Sequence, residues 1–182
     1  MNKKDAIYNV VMSSEQKAVL TDATENKTKT DRIGWKGAYI IKLKNKESGY
    51  LEPYPVLVKL RIPYNSRRTV YCDSDFERYA KHRCDALEVL GFYSYYTGKE
   101  LKKPFLGCPK DDVNAAYSLY SDEPIYIKGH LIFPDSYDIN PFVCSNGLHY
   151  FYEKESALIY MDWQCDSDFR LRKNCYWKFR KD

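Results

Sequence analysis

Two pairs of residues in this chain have the types and spacing to do chemistry. Cys144 and His149 bracket the stretch Cys144-Ser145-Asn146-Gly147-Leu148-His149, and His82 lies two residues before Cys84. A thiol becomes a nucleophile only when a neighbouring base or cation favours the thiolate. Cys144 as nucleophile, His149 as its base, and Asp138 or Glu155 orienting the imidazole would supply those parts. The same four Cys and His side chains have the count for a tetrahedral Cys2His2 zinc site. His82-Arg83-Cys84 is too tightly spaced for an ordinary zinc knuckle, however, and no nucleophile elbow, phosphate loop or dinucleotide fingerprint accompanies Cys144. Buried free thiols and a hydrogen-bonded histidine supporting a turn account for the same residues, so neither a metal nor a cofactor is expected.

Other side chains suit recognition. Arg67, Arg68 and Arg83, with Arg61 and Lys81 nearby in sequence, offer cations to a phosphate or to a partner's acidic surface. Tyr93, Tyr95 and Tyr96 close an aromatic run that fits either core packing or an interface anchor. Tyr126 and Lys128 flank the end of a short strand and would line any pocket built around Cys144 and His149. The segment 164–182 interleaves cations with Phe169, Tyr176, Trp177 and Phe179. That pattern can stack bases and pair phosphates, or it can guard an edge strand against aggregation.

The elements that must position these groups follow from periodicity. Val56-Leu57-Val58-Lys59-Leu60-Arg61-Ile62 alternates with a period of two and stops at Pro63, which reads as a strand. Strands are also expected at 6–12, 38–44, 83–93, 125–128 and 148–152, with a turn at Gly147 that needs positive φ. Short helices are expected at 76–79, at 111–119 behind an aspartate cap, and at 153–160. Residues 13–32 read as a polar, mobile loop and 164–182 as a basic aromatic tail. The whole points to an α+β fold: one compact domain over 1–182, mostly antiparallel sheet with a few short helices.

Composition narrows the class. The chain has 182 residues, 44% of them hydrophobic and 16% aromatic, which is ample apolar surface for a core. A net charge of +4 is too balanced to require a polyanion partner. Six cysteines are too sparse for a disulfide scaffold, the first residues lead into no signal-peptide apolar run, and no stretch approaches a spanning helix. A reducing compartment, no secretion and no membrane insertion are therefore expected.

Taken in order, several segments resemble an uncharacterised domain family of large DNA viruses and bacteriophages, sometimes found beside pentapeptide repeats. Gly34-Trp35-Lys36-Gly37 and Ile41-Lys42-Leu43 are similar to its opening, and Val58-Lys59-Leu60-Arg61-Ile62-Pro63 to its Val-Lys-Leu-x-Ile-Pro string. Lys81 to Leu90 resembles a compressed form of its Arg-Lys-Cys-Arg-Ala element and the strand that follows, and Ile125 to Asp135 resembles a later element. Cys144 to Phe151 resembles its closing Cys-Ser-x-Gly-Ile-His-Phe-Phe. The likeness covers 34–163. Gly37 stands where the family pattern has a Lys and Asp85 where it has an Arg, and 64–80 is longer and more acidic than the pattern. The resemblance implies a viral or phage origin and carries no activity. The expectation is a viral accessory or virion-associated protein of the host cytoplasm or virion, binding a viral or host protein and not an enzyme. The alternatives are a small enzyme or nucleotide-handling domain at Cys144 and His149, and nucleic-acid binding through the tail.

Overall fold

A computed structural model of the chain describes residues 26–27, 30–45, 50–69, 81–102, 115–119, 124–138 and 146–167. Ten strands and one helix occupy them. The strands are β1 (Asn26–Lys27), β2 (Arg32–Asn45), β3 (Tyr50–Ile62), β4 (Arg67–Thr69), β5 (Lys81–Cys84), β6 (Leu87–Ser94), β7 (Ala115–Ser118), β8 (Ile125–Ile127), β9 (Leu131–Ile132) and β10 (Leu148–Phe151); the helix is α1 (Lys154–Ser167). The strands belong to one sheet, in the order β1-β4-β5-β10-β2-β3-β6-β9, with β7 added to β2 and β8 to β7. Every pairing in it is antiparallel.

The α+β expectation is therefore corrected: the fold is largely β, and among the described residues one helix stands where a few short ones were expected. The clearest difference falls at 111–119. Alanines behind an aspartate cap favour a helix by propensity, yet Ala115–Ser118 is a strand. Its alternate residues Ala116 and Ser118 are buried while Ala115 and Tyr117 are half-buried, and it pairs β2 on one side and β8 on the other. An open sheet edge on each side outweighs a few tenths of a kcal/mol per residue of helix preference. The strand expected at 6–12 and the helical turn at 76–79 lie outside the described residues.

The β2–β3 hairpin is the spine, paired residue for residue from Arg32↔Ile62 to Lys42↔Glu52 and beyond. The other edge of β2 is shared, first by β10 at Trp35↔Phe151 and then by β7 at Ala38↔Ser118. β8 ends one arm of the sheet and β9 the other, yet only residues 128–130 join them, so the sheet must roll. Backbone hydrogen bonds hold that join against β6, Gly129 N to Val89 O at 2.8 Å and Val89 N to His130 O at 3.1 Å.

Rolling gives the sheet two unlike faces. The inner face buries Ala38, Ile40, Val56, Val58, Leu60, Val89, Phe92, Ala116 and Tyr126 in one cluster with Cys84, Leu148 and Tyr150. On the outer face α1 packs Ala157, Tyr160 and Met161 against Leu57 and Phe151, with Trp35 and Tyr93 at the margin. Each fully buried Leu or Met side chain here contributes about 2 kcal/mol. Close approach of helix and sheet depends on Gly37, because a Cβ there would collide with Met161 Cγ. The glycine that departs from the resembled pattern is thus the position over which α1 sits.

Candidate functional site

Strand alternation decides which of the chemically able side chains meet. In the β5/β10 ladder Leu148 lies opposite Cys84, His149 opposite Arg83, Tyr150 opposite His82 and Phe151 opposite Lys81. Successive residues point to opposite faces. Cys84, Leu148 and Tyr150 belong to the inner cluster and Phe151 to the outer one, so His82 shares the inner face while Arg83 and His149 share the outer. His149 cannot join His82 and Cys84 around one metal ion. Among the described residues no group of three His, Cys, Asp or Glu is placed to hold one. Cys144 lies outside the described residues.

The turn before β10 is built as its sequence suggests. Gly147 has φ +140°, a conformation costly for any side chain, and a Cβ there would also come within 3.2 Å of Tyr137. Arg83 fixes the turn from beneath: fully buried, it donates from Nη1 to Asp138 O and Asn146 O, both at 3.1 Å. A guanidinium expected to meet a ligand is spent on two chain carbonyls.

On the inner face three rings pack at the end of the roll. His82 lies 4.5 Å from Tyr152 and 5.6 Å from Tyr150 between ring centroids, and Tyr150 Oη donates to Tyr152 Oη at 3.3 Å. Two cations lean on the same aromatic ring: Arg68 donates from Nη1 to Tyr152 Oη, and the Arg32 guanidinium sits 5.5 Å from the ring centroid. Deeper in the roll, Lys36 donates from Nζ to His149 O at 3.2 Å and lies 5.7 Å from the centre of the Tyr126 ring. Burial, reinforced by the Lys81 cation and partly offset by Cys84, lowers the Lys36 pKa from 10.5 to about 8. Burial likewise pushes the Cys84 thiol and the Tyr126 and Tyr150 phenols upward. The Cys84 thiol, its Sγ 3.6 Å from Leu148 O, is held protonated and is a poor nucleophile. This face brings Arg32, Arg68 and Lys36 together with phenol hydroxyls and the buried His82.

The remaining candidates separate into different neighbourhoods. Arg67 is exposed and ion-paired: its Nε reaches Asp85 Oδ2 at 2.7 Å, its backbone N reaches Asp85 Oδ1 at 2.8 Å, and its guanidinium covers the Tyr137 ring. Asp85, the second departure from the resembled pattern, is the counter-ion that Arg67 needs. Tyr93 packs edge-on against Trp35 at 5.2 Å, and Lys154 at the start of α1 lies over both rings while donating to Gly98 O at 3.0 Å. Tyr95 donates to Asp162 of α1. Tyr96 is 69% exposed and edges against Tyr54 and Tyr95. Tyr126 is buried in the inner cluster, and Lys128 is exposed beside Glu100 at 3.8 Å. Sequence spacing does not reveal Tyr152 as the side chain that Arg32, Arg68 and His82 all meet, since they come from separate segments. The one available signal was parity, which puts 32, 34 and 36 on one face of any strand through them.

A family model described as a family of unknown function (DUF5758) matches residues 20–157 of the 182. The chain belongs to that family. The DUF5758 match takes in every described strand, from β1 to β10, and the first residues of α1. No curated protein and no solved structure matches the chain.

Proposed function

We propose that this DUF5758 chain is a protein-binding module, and that its edge around 125–133 takes an extended, apolar segment of a partner polypeptide. The observation that supports the reading is where apolar surface stays uncovered. Seven large apolar side chains are exposed among the described residues, and four of them, Ile125, Ile127, Leu131 and Phe133, fall in this one segment. Phe133 is 62% exposed and Leu131 49%. Large apolar side chains left exposed close together, unlike ones scattered singly, are a mark of association sites.

The backbone supports the same reading. Among the described residues β8 pairs only with β7 and β9 only with β6, so each has an edge with no described partner strand at the seam of the roll. An open edge beside exposed apolar side chains is the requirement for strand addition, in which main-chain hydrogen bonds give affinity and alternate side chains give specificity. The cellular setting proposed is a viral accessory or virion-associated role, in the host cytoplasm or the virion, and it rests on the motif resemblance alone.

The test places a photo-crosslinking residue at position 131 in otherwise wild-type chain, in infected cells and in purified virions, and maps crosslinked peptides by mass spectrometry. The expected result is one partner joined through an apolar segment, with capture reduced about 30-fold by L131D/F133D, a loss of about 2 kcal/mol at an interface anchor. Both positions are exposed, so thermal melting should be unchanged. Capture that survives the double substitution, or crosslinks that map to no recurrent segment, would sink the reading.

A further inference from the structure

We infer that Arg68 and Arg32 form, against the Tyr152 ring, a binding site for a phosphate group. The register places both arginines on the inner face. Arg68 lies opposite Cys84 in the β4/β5 pair, and Arg32 shares the parity of Ala38 and Ile40 in β2. From these separate strands the two guanidinium groups meet one aromatic side chain, one at its hydroxyl and one over its ring.

Neither of them has a carboxylate partner among the described residues, in contrast to their neighbours. Arg61 is paired with Glu88, its Nε 2.8 Å from Oε2, and Arg67 with Asp85. Like charges brought to one ring without a described counter-charge favour a bound anion, which offsets whatever repulsion there is between them.

The second observation is an unused donor. Arg68 spends Nη1 on Tyr152, while its Nε is buried and has no hydrogen-bond partner. A guanidinium grips two oxygens of a phosphate or carboxylate through adjacent N–H groups, and a buried N–H left without an acceptor is costly. The floor is rigid: Tyr150 and Tyr152 are hydrogen-bonded to each other, and fully buried His82 packs against both. Arg32 is exposed and Arg68 and Tyr152 are half-buried, while Arg68 Nε itself is buried, so a ligand enters on the Arg32 side and engages Nε through a shift of the Arg68 side chain. Two full positive charges match the near-dianion of a phosphate or phosphomonoester better than a single carboxylate.

The experiment titrates the full chain with inorganic phosphate and, separately, glycerol phosphate by calorimetry and by NMR, with ionic strength held constant by chloride so that screening does not mimic binding. Wild type is expected to saturate at one site. R68Q should weaken binding about tenfold or more, the value of a charge-assisted hydrogen bond to phosphate, whereas R67Q, whose guanidinium is already held by Asp85, should stay within about twofold. R68K keeps the charge and loses the fork, and should fall between wild type and R68Q. If R68Q melts below the assay temperature, R32Q at its exposed position takes its place, with a several-fold loss expected. Tighter binding of glycerol phosphate than of inorganic phosphate identifies an ester as the ligand, and equal binding identifies the free ion. No saturable binding to wild type, unchanged binding in both R68Q and R32Q, or an equal loss in R67Q overturns the site.

Discussion

Replacing Lys36 by methionine should make the protein more stable at neutral pH. Lys36 carries its ammonium into the rolled sheet, where burial and the Lys81 cation lower its pKa from 10.5 to about 8. A base whose folded pKa is depressed is bound more tightly in its neutral form by the folded state, so below pH 8 the fold carries a penalty for the proton. At about 1.36 kcal/mol per pH unit, the fall from 10.5 to 8 corresponds to about 3 kcal/mol. Methionine keeps the length and the apolar stem but gives up the hydrogen bond to His149 O, a loss of about 1 kcal/mol. The net gain at pH 7 is then about 2 kcal/mol. As pH rises from 8 to 10.5 the wild type sheds the penalty and the gain disappears, ending near a deficit of about 1 kcal/mol.

The assay is urea unfolding of wild type and K36M at pH 7, 8, 9 and 10, at one ionic strength. The difference between the two chains is the quantity to follow. Cys84 and the buried tyrosines have raised folded pKa values, so stability they contribute at low pH is lost in both chains once their unfolded forms ionise, from about pH 9 upward. That loss cancels in the difference. A K36M chain less stable than wild type at pH 7, by an amount independent of pH, would show that the ammonium is well solvated or fully paired, and the argument would fail.

Two other substitutions probe the frame around the site. G37A puts a Cβ into Met161 and should cost about 1–3 kcal/mol as the helix is pushed from the sheet, read by urea melts and by the fluorescence of Trp35 at the helix margin; unchanged stability would mean that α1 has room to spare. Cys84, fully buried with its thiol pKa raised, should resist iodoacetamide in the native chain and react on denaturation, as followed by peptide mass spectrometry; rapid native labelling at Cys84 would show that the inner face opens.

How much of this was legible from residue order depends on whether the deciding contact is local. The strand ending at Ile62 shows itself by alternation and by Pro63. Its start does not, because Pro53 and Pro55 look like breakers yet lie inside β3. Pro55 O accepts from Tyr95 N at 3.3 Å just past the end of β6, so the donor that Pro55 lacks falls on the last rung toward β6, and the ladder to β2 is untouched. The Gly147 turn was legible because positive φ is a property of a single residue. The strand at Ala115–Ser118 was not, since its character comes from edges of β2 and β8 that local propensity does not see. The candidate site is the extreme case. Arg68 and Tyr152 are 84 residues apart, and only strand register brings them together. Arg83 reads from the sequence as a cation for a phosphate or an acidic partner surface, or as part of a solvated face; its burial on the outer face, under the 138 and 146 carbonyls, follows from the β5/β10 register.

The shared edge of β2 sets an order of events during synthesis. A ribosome delivers β2 and β3 together, and their pairing waits for no more than the four residues between them. The opposite edge of β2 waits for Ala115–Ser118 and then for Leu148–Phe151, which emerge last among its partners. Until then the backbone at Trp35, Ala38 and Tyr39 stands without its second partner strand, and long-range pairing of this kind closes slowly. The growing chain is therefore exposed to mispairing with another copy of itself in the interval before residue 151 is made, and a truncation short of that point leaves this stretch of β2 without the strand that completes it.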